Sequence, residues 1–279
     1  ILLLPLGGVL INAVLGRWLS KRVVAIIASL AIVAAFVASV VTFAEILALP
    51  AASESGANPR ERVFSLFTWI VSGDFVVEFA ILVDQLSILM AMVVTGVSAL
   101  IHIYSAGYMQ GETYHNRYFT WLNLFVFMML VLVLADGFVT MYLGWEGVGL
   151  CSYLLIGYWF ERKSAAGAAK KAFLVNRVGD FGFALGIMLI FATFGSVAFQ
   201  DVFPAAETLL PGTATAIALL LFLGATGKSA QIPLHIWLPD AMEGPTPVSA
   251  LIHAATMVAA GVFMLCRVFF LLNAPALVL

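Results

Sequence analysis

Apolar residues fill long runs along this chain, and polar ones fall in short clusters between them. A helix needs ~20 mostly apolar residues to cross a hydrocarbon core of ~30 Å. On that measure the pattern predicts eight helical spans, over residues 1–19, 23–49, 84–107, 116–135, 137–159, 168–194, 213–238 and 247–272. Inside lipid the backbone polar groups of such runs must be satisfied within each span, so an all-α integral membrane bundle is the expected fold.

Three stretches depart from the pattern. "ASESGANPRER", residues 52–62, reads as a loop. In the following "VFSLFTWIVSGDFVVEFAILVD", β-branched and aromatic residues flank Ser72, Gly73 and Asp74. That arrangement predicts a small β-hairpin, expected at the extracytoplasmic membrane surface. "VAFQDVFPAAETLLPG" reads as a connector with a short amphipathic helix.

The seventh span carries an interruption. Its apolar run, 213–226, is 14 residues long, ~21 Å of helix and too short to cross. Gly227 and Pro233 follow, and proline removes a backbone donor and clashes with the preceding turn. "LHIWL" then resumes the helix as far as Pro239. The reading is a broken helix with Lys228 at the break. Such breaks mark ion sites, because freed backbone groups and half-helix dipoles call for ionic company. "GATGKS" here is not a phosphate-binding loop, since Phe222 stands where the first glycine is required.

Composition sharpens this picture. Of 279 residues, 63% are hydrophobic and 10% charged, against ~45–50% and ~25% in soluble domains. The net charge of −2 offers no basic patch for nucleic acid. Cys151 and Cys266 lie in apolar runs, without metal-ligand spacing, and read as buried small hydrophobes. Both chain ends are apolar and read as cuts in a longer protein, with no basic segment of the kind that opens a signal peptide. Arg17, Lys21, Arg22, Arg117, Arg162, Lys163, Lys170 and Lys171 fall on one set of loops, and Arg60 and Arg62 on the other. The first set is expected to face the cytoplasm.

Glu146, Arg177, Asp180, Lys228 and His253 fall within predicted spans. A charge at mid-bilayer costs at least ~2.5 kcal/mol and usually faces a bundle interior or a wet cavity. By helical rise Glu146 lies ~14 Å into its span, Asp180 ~18 Å, His253 ~9 Å and Lys228 ~22 Å. Titratable groups at such depths make a file of proton sites. Plainer readings stand beside it. Arg177 and Asp180, at i, i+3, can neutralise each other. Glu146 can bridge to a lysine for packing alone, and His253 can be a hydrogen-bonded core residue. Gly144, Gly147 and Gly149 around Glu146 permit close helix packing, or alternatively a bulge. His102 near a span end and His115 in a loop read as interfacial. Paired in-helix histidines for a haem would have to be His102 and His253, whose depths do not match.

"LIHIYSAGYM", "LNLFVFMMLVLVLADGFVTMYLGWEGVGLCSYLLIGYW", "AAKKAFLVNRVGDFGFALG" and "KSAQIPLHIWLPDAMEGPTPVSALIHAATMVAAGV" carry a family resemblance. They resemble the antiporter-like membrane subunits of respiratory complex I, and "GWEGVGLCSYLLIG" and "NRVGDFGF" favour the subunit L (chain 5) branch over its M and N sisters. The resemblance implies two inverted five-helix repeats, of which this chain would hold helices 1–3 with the hairpin in 1–115 and the first repeat in 116–279. It implies a proton relay in which Glu146 and Lys228 form an ion pair. Asp180 and Arg177 would accompany that pair, and His253 would link it to the next site. It implies a role in a proton-pumping NADH:quinone oxidoreductase of the bacterial plasma membrane or mitochondrial inner membrane. There would be no cofactor or metal in this chain. NADH, FMN, iron–sulfur clusters and quinone would belong to partner subunits, with the antiporter-like subunit M as neighbour. The large subunit of a multisubunit Na+/H+ antiporter and a membrane-bound hydrogenase relative share these motifs and stay open as alternatives.

Overall fold

The structure is a computed structural model that describes residues 1–50, 59–254 and 256–272. Most of the expected 52–62 loop and the apolar stretch after Leu272 lie outside the described residues. The elements run α1 (Leu3–Leu15), α2 (Lys21–Ala48), β1 (Arg62–Ser72), β2 (Phe75–Val83), α3 (Gln85–Tyr108), α4 (His115–Val133), α5 (Phe138–Ile156) and α6 (Lys163–Phe194). Then come α7 (Phe199–Ala205), α8 (Pro211–Lys228), two 3-10 turns, α9 (Thr246–Ala254), α10 (Met257–Arg267) and the short α11 (Phe269–Leu272).

Local chemistry sets several boundaries. Ser20 caps α2 by accepting from the Val23 amide. Asp84 and Ser87 form a reciprocal capping box on α3. Gly73 turns the hairpin at φ +59°, the conformation that glycine supplies at the first place of a two-residue hairpin loop. β1 and β2 pair antiparallel from Arg62↔Val83 to Ser72↔Phe75, with register shifts after Ser65 and Thr68. The Leu82 amide donates to the Leu134 carbonyl at 2.9 Å, which ties the hairpin to the end of α4.

Side-chain contacts fix which helix ends lie together. Lys21 Nζ donates to the carbonyls of Gln110 and Glu112, at 3.2 and 2.8 Å, so the start of α2 meets the α3–α4 turn. Tyr108 meets Thr246 at the same end. At the other end Phe75 packs edge-on to Phe191 of α6 at 4.8 Å, and Arg267 pairs with Asp84. The helices therefore alternate in direction. The starts of α2, α4 and α6 share one basic end, and the hairpin occupies the other.

Six segments are long and apolar enough to cross a membrane among the described residues, fewer than the eight spans expected. α1 has 13 residues rather than 19, because the chain turns at Gly16 to reach the α2 cap. α8 stops at Lys228, and "LHIWL" forms a 3-10 turn instead of resuming the helix. The expected connector helix is α7. The eighth span is one of the six, Thr246–Arg267, with α9 ending at Ala254 and α10 beginning at Met257. The Thr256 hydroxyl donates to the Leu251 carbonyl, a local bond that competes with the helical ladder.

Candidate functional site

Small residues line the crossing of α6 and α8. A Cβ on Gly179 would stand 3.0 Å from Gly227 Cα, and one on Gly224 2.8 Å from Phe183 Cβ. Such pairs let helix backbones approach closely in lipid. The approach brings Lys228, the last residue of α8, against Asp180 of α6. Its Nζ donates to Asp180 Oδ2 across 3.4 Å, and the two side chains are 0% and 1% exposed. The other Asp180 oxygen accepts from Trp145 Nε1 of α5 at 2.6 Å. Arg177, one turn before Asp180, lies 3.7 Å from Oδ2 and pairs with Glu146 of α5.

The result is a file of alternating charge, Glu146, Arg177, Asp180, Lys228. Its outer end is half-open, with Arg177 and Glu146 side chains 32% and 22% exposed, and its inner end is closed. Each charge has an opposite neighbour, which offsets the cost of removing it from water. The i, i+3 pairing of Arg177 with Asp180 is present, as spacing suggested. The direct Glu146–Lys228 pair is not. Arg177 and Asp180 stand between them, because the α5 position facing Lys228 is Gly149. A Cβ there would lie 2.8 Å from Lys228 Nζ and 3.4 Å from Arg177 Nη2. Glu146, three residues earlier, faces Arg177 instead.

Gly144 and Gly147 serve close packing. Added Cβ atoms would meet the Leu132 amide at 2.4 Å and Met128 Sδ at 2.5 Å, both on α4, and α5 runs unbroken from Phe138 to Ile156. The break after α8 is supported too. Trp237 Nε1 donates to the Gly227 carbonyl at 3.0 Å, and Ser229 Oγ to the Val258 carbonyl at 2.7 Å. The latter bond joins this break to the start of α10. Ala230, at φ +50°, turns the chain there.

His253 lies in the last turn of α9, half-buried, with Nε2 buried and without a hydrogen-bond partner. Among the described residues no hydrogen bond or ion pair joins it to the four-residue file. The other histidine expectations change. His102 is fully buried rather than interfacial, its ring nitrogens 2.7 Å from the Ser98 carbonyl and from Asn123 Oδ1. α3 continues six residues beyond it, which carries it inside the bundle. His115 opens α4 and is 3% exposed, packed on Phe119 at 4.9 Å. Cys151 is buried as expected, but Cys266 is exposed.

Trp145 and Trp237 were not singled out by sequence reasoning, and Gly149 was read only as one of three glycines near Glu146. The signal for the tryptophans was their place in apolar runs, since a buried indole N–H seeks an acceptor. Among the described residues no group of three His, Cys, Asp or Glu could hold a metal.

Comparison with known proteins bears on this geometry. The family described as NADH:quinone oxidoreductase/Mrp antiporter, TM, matches residues 135–278. The one described as NADH-Ubiquinone oxidoreductase (complex I), chain 5 N-terminus, matches residues 69–119. NADH-quinone oxidoreductase subunit L of Mycobacterium tuberculosis is 54% identical over 214 residues, 76% of this chain and 34% of that protein. Subunit L of Rickettsia bellii is 46% identical over 290 residues, 100% of this chain and 44% of the relative. NADH-ubiquinone oxidoreductase chain 5 of Chondrus crispus is 47% identical, covering 96% and 40%. Among solved structures, the Mrp complex from Dietzia sp. DQ12-45-1b superposes with a TM-score of 0.82 at 28% identity, over 99% of this chain and 28% of that one. The chain thus spans less than half the length of these curated relatives.

Proposed function

The chain belongs to the NADH:quinone oxidoreductase/Mrp antiporter transmembrane family, a family of multi-pass membrane proteins, and from that premise we propose that it moves protons through the buried Glu146–Arg177–Asp180–Lys228 file. It acts as part of subunit L of a respiratory NADH:quinone oxidoreductase. Electron transfer from NADH through flavin and iron–sulfur centres to quinone occurs in partner subunits, and an antiporter-like M subunit is the neighbour. The basic end faces the cytoplasm or mitochondrial matrix, and the hairpin the opposite side.

The observation that carries this reading is a fully buried lysine at the end of an interrupted helix, with one carboxylate as counter-ion. Lys228 holds a proton at Nζ while Asp180 faces it. Trp145 fixes the Asp180 carboxylate by occupying its other oxygen. Arg177 is shared between Glu146 and Asp180. When Arg177 leaves Glu146 and moves onto Asp180, the lysine loses part of its counter-charge and gives up its proton. When Arg177 returns to Glu146, Asp180 is free to hold a protonated Lys228 again. His253, with an unpartnered Nε2, is the proposed acceptor beyond the file.

The test is proton pumping by the assembled complex in vesicles. Lys228→Ala is expected to reduce it at least tenfold, a loss of ~1.4 kcal/mol or more of transition-state stabilisation, with assembly intact. Glu146→Gln is expected to be much worse than Glu146→Asp, since only the first removes the charge that draws Arg177 away. Normal pumping in Lys228→Ala would sink the reading. The likeness to the Mrp complex favours, second, the large subunit of a multisubunit Na+/H+ antiporter. Co-purification with antiporter rather than oxidoreductase subunits, and sodium-dependent proton flux, would select it.

A further inference from the structure

A cavity of about 210 Å³ opens between α4, α5 and α6 at the basic end of the bundle. Arg117 from the first turn of α4 and Lys170 from α6 line it, with Trp121, Tyr153 and Phe160. The Arg117 guanidinium carbon lies over aromatic rings, with centroids 4.6 Å away for Tyr114, 4.6 Å for Trp121 and 4.8 Å for Phe160. Cation–π contacts are no substitute for oxygen acceptors, so the guanidinium N–H groups still call for them. Two of those donors, Nε and Nη2, are buried without a hydrogen-bond partner. No carboxylate within ion-pair distance serves Arg117 or Lys170 among the described residues, whereas the adjacent Lys171 is paired with Asp240 at 2.8 Å. Two cations therefore border one cavity, and the more rigid of them is held ready for an acceptor that no described residue supplies.

We propose that this cavity binds the phosphate of an anionic phospholipid headgroup. Three features choose that ligand. A guanidinium edge matches two phosphate oxygens at once. The cavity lies where α4 begins, α5 ends and α6 is in its first turns, the level at which aromatic side chains mark the membrane–water interface. Basic pockets between transmembrane helices at such a level take anionic headgroups. A zwitterionic headgroup brings its own ammonium group toward Arg117 and Lys170 and is disfavoured. The proposal does not depend on proton transfer, because none of these residues belongs to the Glu146–Lys228 file.

The experiment is native mass spectrometry of the whole chain in detergent, with added phosphatidylglycerol, phosphatidylcholine or inorganic phosphate. Phosphatidylglycerol is expected to be retained about thirtyfold better than phosphatidylcholine, of the order two interfacial cations supply. Arg117→Gln with Lys170→Gln should abolish the preference, while Lys163→Gln, at the same end but off the cavity, should keep it. Should loss of Arg117 disturb folding, Lys170→Gln alone alters an exposed side chain and is expected to cut the preference about fivefold. Equal retention of the two lipids, or a preference surviving both cavity substitutions, would overturn the proposal. Displacement of phosphatidylglycerol by millimolar inorganic phosphate would assign the cavity to a free anion and overturn the lipid as its occupant.

Discussion

Gly149 separates folding from function at a single residue. A methyl group there would stand 2.8 Å from Lys228 Nζ, the far end of a flexible side chain, so the ammonium can move aside without disturbing the helices. Replacing a helical glycine by alanine also favours the helix by ~0.5–1 kcal/mol. Gly149→Ala is therefore expected to keep or raise the thermal unfolding midpoint while lowering proton translocation at least severalfold, because Lys228 is pushed from Asp180. A parallel loss of stability and transport would mean that Gly149 matters only for packing. This residue was visible in the sequence as one of three glycines near Glu146. Which of the three faces the lysine was not, since that depends on how α5 is rotated against α6 and α8.

Two acidic residues outside the spans make the helix connections sensitive to pH in opposite senses. Asp84 caps α3 and pairs with Arg267, whose second nitrogen lies 3.0 Å from Oδ1. Burial would raise its carboxyl, but Arg267 and Ser87 outweigh burial and hold it below the ordinary 3.8. A depressed carboxylate contributes stability that is present above its unfolded value and lost as pH falls through the folded one. Asp84→Asn is expected to cost ~3 kcal/mol at pH 7, as expected for breaking a largely buried ion pair. The difference from the parent should shrink below about pH 4 in thermal unfolding curves. Asp136, between α4 and α5, goes the other way. Burial first, then the charges of Glu78, Asp201 and Glu61, push it up to about 6. Its proton is held more tightly when folded, so stability is lost as pH rises from about 4 to 6. Asp136→Asn should be more stable than the parent at pH 7 and indistinguishable from it below pH 4. Equal midpoints at pH 7 would show that Asp136 is relieved by solvent.

At the scale of the molecule, the described residues contain one charge file and one interrupted helix carrying a lysine. The curated relatives are more than twice as long, and a path across ~30 Å of hydrocarbon needs entry, relay and exit. Residues 1–279 reconstituted alone, with a pH-sensitive dye inside liposomes and an imposed potential, are expected to give no saturable proton flux. A flux that saturates and disappears in Lys228→Ala would show that this length of chain suffices.

Membrane insertion, the hairpin and the break at Lys228 were determined by the sequence itself. Each rests on local physics: the length of an apolar run, a Gly-Asp pair between strand-forming segments, a glycine and a proline flanking a lysine. The five in-span candidates were legible for the same reason, because a charge in an apolar run needs no neighbour to be anomalous. Tertiary structure decided who pairs with whom. The sequence suggested Glu146 with Lys228, but partner choice depends on helix rotation and closest approach, which the glycines on α6 and α8 set by letting the two backbones touch. That contact seats Lys228 on Asp180, leaves Glu146 to Arg177 and gives Trp145 the second Asp180 oxygen. It was likewise packing between α3 and α4 that took His102 from the interface into the interior. Spacing along one helix cannot encode such choices, because they are distances between helices.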